Sequence, residues 1–242
     1  MKLNYDMDYL NGGSSQEFLM HGETWFSQKL GLTNPKTIFD VGANVGEWSK
    51  MTRKFCPNAD IHCFEVVNST FHKLYHNVKY DDKIYLNNFG LSNTEEIINF
   101  KFIEHNDRIS TGLSLLRFDD SRPVTGLLRT GDSYVEEYKI DYIDLVKIDT
   151  EGMGNRVLKG LMNTLKQGKI GAIQFEYDRA CILERFILID HYEMLCPLGY
   201  KLGRLKQDHV EVKDYSLYDE NFDGPEYIAC HVNNTELLRL LT

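Results

Sequence analysis

The sequence predicts an α/β protein with one open, mostly parallel sheet, helices on both faces and antiparallel strands at one edge. Short apolar runs alternate with amphipathic helical patterns from residue 37 to residue 195. Such alternation implies crossover connections between parallel strands. The strand-like runs after residue 200 follow one another without helices, so we expect them to pair antiparallel.

The first half of the pattern contains three strands and two helices. We predict strands at 37–41, 61–65 and 84–88, and helices at 46–55 and 69–80. The first helix must end before Pro57, because the residue that precedes a proline disfavours helical backbone. Asn68 or Ser69 is a suitable cap for the second helix.

The second half begins with an inserted strand at 95–104, followed by a polar region at 105–130 that the pattern does not assign. We predict a short helix at 132–138, strands at 144–149 and 170–177, helices at 155–165 and 181–195, and late strands near 200–205, 210–213 and 227–232. The polar region, with Arg108, Ser110, Thr111 and Ser114, is either a lid over a substrate or an ordinary loop.

The chain has 242 residues, which suits one α/β domain. We divide it into an N-terminal helical extension, 1–35, and a main domain, 36–242. The extension carries a Gly-Gly-Ser-Ser turn and an amphipathic stretch from Gln16 to Leu30. His21, within this stretch, either lines a substrate pocket or is an ordinary surface or packing histidine.

Composition argues against several classes of partner. The formal net charge of −9 disfavours binding to nucleic acid or to anionic membranes, which needs clustered Lys and Arg. No run approaches the ~18 apolar residues of a membrane span, and the start lacks the apolar core of a secretory signal. Five cysteines without C-x-x-C spacing predict buried, reduced thiols in a cytoplasmic protein.

A glycine loop follows the first strand, in the segment from Asp40 through Gly42, Ala43 and Asn44 to Gly46. Glycines at a strand-to-helix turn let the backbone approach a ligand closely, and helix-start N–H groups favour an anion. The spacing is neither the dinucleotide fingerprint nor a P-loop. The alternative is a tight turn without a ligand.

An acidic residue, Glu65, ends the second predicted strand, about 20 residues beyond the glycine loop. A carboxylate there can accept hydrogen bonds from two ribose hydroxyls. Taken alone, a glutamate at a strand end is more often simply solvated. Together with the glycine loop, it predicts a nucleoside ligand, whose identity these two features leave open.

Further carboxylates stand at the ends of the strands predicted at 144–149 and 170–177. Lys147 and Asp149 share one face of their strand, and Asp149 and Glu151 lie at its carboxyl end. These carboxylates can hold a ligand ammonium, ligate a metal or act as general base; the alternative is an ion pair with Lys147. Glu176 is a further candidate base, or a partner of the backbone or Lys147. No spacing demands a metal, so none is predicted.

The segments 37–46, 64–65, 144–152 and 157–160 together resemble the FkbM-type methyltransferases, as do 173–177 and 226–229. The similarity covers about residues 35–232 and implies a class I, Rossmann-like fold. The Lys147-Ile-Asp149-Thr-Glu151-Gly152 segment is its most specific part. One position departs from the family: Gly154 stands where members commonly carry a glutamate.

The resemblance implies S-adenosylmethionine as methyl donor and O-methylation of a hydroxyl on a sugar, a glycan or a natural product. It implies that Glu65 binds the ribose hydroxyls and that Asp149 faces the methionine end. It also implies that residues of the glycine loop surround the methionine and ribose, namely Asp40, Gly42, Ala43, Asn44 and Gly46. Asn88, Gly90 and Leu91 are then expected near the adenine, and Asp149, Glu151 and Glu176 are the candidate catalytic residues.

Two other functions remain open from sequence. A nucleotide-binding oxidoreductase would also place Glu65 on a ribose, but the glycine spacing is wrong for it and no Tyr-x-x-x-Lys occurs. A non-catalytic binding module that keeps the fold is the other, and Gly154 weakly favours it. The expected partner is a small-molecule or glycan acceptor, and the oligomeric state stays unassigned.

Overall fold

The computed structural model describes residues 22–103, 110–111, 121–150 and 152–242. Its strands are β1 (Thr37–Val41), β2 (Asp60–Phe64), β3 (Ile84–Asn87), β4 (Gly90–Ser92), β5 (Glu96–Ile103), β6 (Ser110–Thr111), β7 (Ser121–Thr130), β8 (Ile143–Ile148), β9 (Ile170–Asp178), β10 (Tyr200–Leu205), β11 (Val210–Val212) and β12 (Asp223–His231). Its α-helices are α1 (Glu23–Leu32), α2 (Glu47–Arg53), α3 (Asn68–Val78), α4 (Gly131–Glu137), α5 (Gly154–Gly160), α6 (Met162–Lys166), α7 (Ala180–Glu184), α8 (Leu188–Leu195) and α9 (Thr235–Leu241).

The main sheet has eight strands in the order β11-β10-β12-β9-β8-β1-β2-β3. The five strands from β9 to β3 are parallel, and β12, β10 and β11 add antiparallel pairings at one edge. The predicted fold class is therefore confirmed. Chain order reverses between β1 and β8, and ligands of open α/β sheets bind at such a switch point, outside the carboxyl ends of the strands.

Two hydrophobic cores lie on opposite faces of this sheet, because successive strand side chains point to opposite sides. On one face, Phe39, Val146 and Ile173 pack with residues of α4, α5, α6 and α8. On the other face, the neighbouring strand residues Ile38 and Leu145 pack with residues of α1, α2, α3 and α9. Helices thus cover both faces, as the sequence predicts.

The N-terminal helix α1 contributes to the second core, where Phe26 and Leu30 are fully buried. The earlier part of the predicted helical stretch, with His21, lies outside the described residues. Among the described residues, no helix has the length and the apolar character needed to cross a lipid bilayer. Of the five cysteines, Cys196 is exposed, so the expectation that all are buried is wrong at that position.

A second sheet of four strands, in the order β4-β7-β5-β6, is inserted between β3 and α4. The inserted strand predicted at 95–104 corresponds to β5. Part of the region left unassigned forms β7, which pairs with β5 over eight residue pairs. Of the residues suggested for a lid, Arg108 and Ser114 lie outside the described residues.

Two helices predicted as continuous are each broken in two. Asp132 accepts hydrogen bonds from the backbone N–H groups of Asn163 and Thr164, both at 2.9 Å, and so caps α6 as a new helix after α5. Similarly, Glu220 accepts the N–H of Ile189 at 2.8 Å at the start of α8. Arg185, with a φ of 53°, ends α7 just before it. Distant carboxylates therefore decide these breaks.

Candidate active site

The glycine loop after β1 is fixed between the ends of β2 and β8. The N–H groups of Gly42 and Ala43 both donate to the carbonyl of Phe64 at 3.0 Å. Gly42 has a φ of +82°, and a Cβ on it would lie 1.8 Å from the backbone oxygen of Asp149. Only glycine fits here, because both the backbone conformation and the space exclude a side chain.

Gly46 begins α2 with a φ of +86°. A Cβ on it would lie 2.7 Å from Cδ1 of Leu74, so this glycine permits close packing of the loop against α3. Asn44, between the two glycines, also has a positive φ of 48°. Its side-chain oxygen is buried and has no hydrogen-bond partner among the described residues.

Glu65 directly follows β2 and joins it to the glycine loop. One carboxylate oxygen accepts the N–H of Asn44 at 3.0 Å, and the other accepts the N–H of Val67 at 2.7 Å. Each oxygen keeps a second lone pair for a further donor. Burial raises the pKa of Glu65 to about 7, against the opposing effect of these two hydrogen bonds.

A buried lysine lies between two carboxylates at the switch point. Nζ of Lys147 is 3.1 Å from Asp149 and 3.5 Å from Asp40, which stands beside it in the β1–β8 register. Asp40 is fully buried and also accepts from the hydroxyl of Ser49 at 2.5 Å. The predicted alternative of a lysine ion pair is therefore present, and the side chain of Asp149 is still 39% exposed.

Two more buried glutamates surround this pair. Glu23, from α1, accepts a hydrogen bond from Gln174 at 2.8 Å, and Gln174 stands beside Lys147 in the β8–β9 register. Glu226, on β12, is 8% exposed. We call Glu23, Asp40, Asp149 and Glu226, which surround Lys147, the acid cluster.

The charges of the acid cluster act on one another. Burial alone would lower the pKa of Lys147, but the four carboxyls raise it above its ordinary value. Burial raises the pKa of Glu23 to about 7, and the charge of Lys147 opposes that rise. Burial also raises the pKa of Asp40 and of Glu226.

Glu176 pairs with Glu226 in the β9–β12 register and so faces the same side of the sheet. It also lines a small cavity at the ends of β8 and β9, together with Thr150, Gly154 and His191. Burial lowers the pKa of His191 to about 4, so this ring is neutral at physiological pH. Glu151 lies outside the described residues.

The residues predicted near the adenine occupy the end of β3 and the start of β4. The amide of Asn88 donates to the backbone oxygen of Glu65 at 2.9 Å and accepts from Asn68 at 3.0 Å. A Cβ on Gly90 would lie 2.8 Å from Leu128 of the second sheet. The side chain of Leu91 is 4% exposed and packs in the first core.

The family model of the methyltransferase FkbM domain matches residues 40–202, about two thirds of the chain. This match begins at Asp40, near the end of β1, and includes the glycine loop, Glu65, Lys147 and Asp149. The chain belongs to the FkbM methyltransferase family. It is therefore a methyltransferase whose cofactor is S-adenosylmethionine. No curated protein matches the chain significantly.

Solved structures resemble this methyltransferase in fold. The cofactor-bound protein Rv0187 from MTB superposes with a TM-score of 0.51 at 9% identity, over 91% of this chain and 81% of that one. The precorrin-6y C5,15-methyltransferase from Geobacter metallireducens gives a TM-score of 0.47 at 12% identity, over 94% and 98% of the two chains. At 9% identity, the likeness to Rv0187 concerns the fold alone.

The residues around the glycine loop fit the cofactor. The buried side-chain oxygen of Asn44 lacks a donor within the described ranges. Glu65 retains lone pairs toward the same loop. A nucleoside with hydroxyl and ammonium donors suits this set of acceptors.

Sequence reasoning missed three members of the surrounding site: Glu23, Gln174 and Glu226. Glu226 begins an otherwise apolar segment, Glu226-Tyr-Ile-Ala-Cys230, and an acid next to such a run was a usable signal. Glu23 gave none, since an acidic residue in the first turn of a helix is ordinary. Only the packing of α1 on the sheet brings it to Gln174.

Proposed function

We propose that this FkbM-family methyltransferase methylates a hydroxyl oxygen on a small-molecule or glycan acceptor. The observation that carries the proposal is the pairing of Asp149 with Lys147 at the switch point. That arrangement leaves a partly exposed carboxylate at the carboxyl end of β8, against the glycine loop. A weakly acidic hydroxyl needs such a base within reach of its proton.

The roles of the chain's own groups follow from this arrangement. S-adenosylmethionine supplies a methyl group that its sulfonium already activates. The protein orients the acceptor hydroxyl in line with that group, which lowers the entropic part of the barrier. Asp149 accepts the hydroxyl proton while Lys147, 3.1 Å away, holds its carboxylate in place, and Glu176 is the second candidate base. Asp40, Gly42, Ala43, Asn44, Gly46 and Glu65 hold the cofactor, with Asn88, Gly90 and Leu91 toward its adenine.

The test is methyl transfer from isotopically labelled S-adenosylmethionine to a panel of sugars, glycans and hydroxylated natural products. Matched amines and carboxylic acids serve as competing acceptor classes, and NMR identifies the atom that carries the label. We expect the label on a hydroxyl oxygen. Label on nitrogen or carbon overturns the O-methylation, and cofactor binding without transfer to any acceptor favours a binding module.

Two variants identify the base. We expect Asp149→Asn to lower kcat by about 10²-fold or more and to flatten the acid limb of the pH–rate profile. Glu176→Gln is the parallel variant. The variant that flattens the acid limb identifies the carboxylate that takes the proton. Glu193→Gln, on the exposed side of α8, is the control and should retain the wild-type profile.

A further inference from the structure

The acid cluster contains more acidic than basic groups. Within the described ranges, four carboxyls surround one ammonium, that of Lys147, and Glu23, Asp40 and Glu226 are each at most 8% exposed. Burying ionised carboxylates without matching cations is costly. The cluster must therefore bind protons, or a cation from a ligand, to remain packed.

Buried acceptor atoms in and beside the acid cluster lack hydrogen-bond donors among the described residues, and one of them is Oδ1 of Asp40, which is 3.5 Å from Nζ of Lys147. Gln174 is fully buried, and its side-chain oxygen has no hydrogen-bond partner within the described part of the chain. The same is true of one carboxylate oxygen of Glu226. Buried polar atoms are almost always paired, so these three acceptors indicate a missing donor. A proton on a carboxyl is the smallest donor that meets this need.

The groups that face Glu226 come from three elements. Glu23 lies on α1, Lys147 and Asp149 belong to β8 and the residue after it, and Gln174 and Glu176 belong to β9. Burial raises the pKa of Glu226, the negative charge of Glu23 raises it further, and Lys147 opposes both. The pKa of Glu23 is raised to about 7, so Glu23 itself titrates in the neutral range.

The cluster adjoins the loop that holds the cofactor. Asp40 precedes Gly42 by two residues, and the backbone of Asp149 is the group that a Cβ on Gly42 would meet. A charge bound at the loop therefore interacts electrostatically with the acid cluster, and poor solvation there strengthens the interaction. The methyl donor carries a sulfonium charge, and its product S-adenosylhomocysteine does not.

We propose that the acid cluster holds a proton in the free protein and releases it when the cationic donor binds, so that the site prefers S-adenosylmethionine to S-adenosylhomocysteine. A carboxyl O–H bond breaks, the proton passes to solvent, and the carboxylate left behind balances the positive charge of the donor. The neutral product does not supply that charge, so the carboxyl regains its proton and the product leaves more readily. The inference rests on S-adenosylmethionine as cofactor and is independent of the acceptor.

Calorimetric titration of the full chain with each cofactor form tests it. Titrations at pH 7 in phosphate and in Tris, whose ionisation enthalpies differ, give the number of protons released. We expect roughly half a proton or more on binding S-adenosylmethionine and less on binding S-adenosylhomocysteine. Between pH 6 and pH 8, the ratio of the two affinities should shift toward the donor by about three- to tenfold.

Glu226→Gln keeps the side-chain shape, removes the titrating group and should flatten this pH dependence. Glu23→Gln is a second variant on a different element, which preserves the test if the first fails to fold. Glu193→Gln, exposed on α8 across the sheet, is the matched control and should behave as wild type.

Equal proton release with both ligands, or unchanged linkage in both glutamine variants, overturns the inference while leaving methyl transfer untouched. Binding of neither ligand overturns it together with the cofactor assignment. The inference is supported if S-adenosylmethionine releases more protons than S-adenosylhomocysteine, if both glutamine variants reduce that difference, and if the Glu193→Gln control retains it.

Discussion

Glu65 accepts the backbone N–H of Asn44 at 3.0 Å, so one carboxylate both fixes the glycine loop and points its remaining lone pairs toward the ligand that the loop would hold. The second oxygen, bound to the N–H of Val67 at 2.7 Å, prevents the side chain from rotating away. The observed role in fixing the loop and the proposed role in binding therefore rest on the same two atoms.

Glu65→Ala should weaken S-adenosylmethionine binding by at least about tenfold. A hydrogen bond to a charged group contributes about 1.5–3 kcal/mol, and the variant also releases the loop at Asn44. Glu65→Gln, which keeps an acceptor oxygen, should lose less. Calorimetric titration measures both, with NAD as a control ligand and Glu193→Ala as a control variant. Unchanged affinity in Glu65→Ala would remove Glu65 from the site.

Gly42→Ala should prevent stable folding or cost more than about 3 kcal/mol of unfolding free energy. The added Cβ would meet the oxygen of Asp149 at 1.8 Å, in addition to the strain of a positive φ. Gly168→Ala is the matched control, because its φ of +65° is also positive but its nearest neighbour, His231, is 3.8 Å away.

Urea unfolding of the two alanine variants separates the destabilisation caused by backbone strain from that caused by the steric clash of the added Cβ. The control should cost about 1 kcal/mol, the contribution of backbone strain alone. Equal losses in the two variants would show that the contact with Asp149 is unimportant.

Lys147→Met should lower the unfolding free energy by about 3–5 kcal/mol, because it leaves buried carboxylates without their cation. Adding Asp40→Asn should restore part of that loss by removing one of those charges. Lys83→Met breaks an exposed pair with Asp60, 3.2 Å apart, and should change stability by less than about 1 kcal/mol. Chemical denaturation measures all three, and a double variant no more stable than Lys147→Met would contradict the charge argument.

Stability should fall as the pH rises from 6.5 to 8. Glu23 and Glu65 have folded-state pKa values near 7, above the ordinary 4.5. Their contribution is therefore complete below pH 4.5 and is lost as the pH rises through 7. Over the chosen window each group accounts for roughly 1 kcal/mol.

The window is chosen to exclude two histidines. Burial lowers the pKa of His62 and of His191 to about 4, so their contribution has the opposite sign and changes mainly below pH 6.5. Thermal unfolding at pH 6.5, 7.2 and 8 measures the slope. Glu23→Gln should reduce the slope, and a slope as steep as that of the wild type would count against the titration of Glu23.

Much of the site could be predicted before any coordinates. Asp40, Gly42, Glu65 and Asp149 were predictable because parallel strands end at one edge of a sheet, so a motif at each strand end converges with its neighbours. The Asp40–Lys147 register and the contact of Gly42 with Asp149 confirm that convergence. The roles of individual residues toward cofactor and acceptor remain predictions.

Other features were set by contacts between distant parts of the chain. Asp132 and Glu220 break the two long helices by capping residues about thirty positions away, a competition that helical periodicity does not register.

The sequence by itself determined the mostly parallel sheet with its antiparallel edge and the glycine loop after the first strand, because these depend on local alternation and on short spacings along the chain. Only the tertiary structure decided the charge balance of the acid cluster. It brings Glu23 to Gln174 across 151 positions and places Glu226 on the antiparallel strand beside them. The physical reason is that burial and Coulomb interaction depend on distance in space, and each of these acids is unremarkable in its own segment.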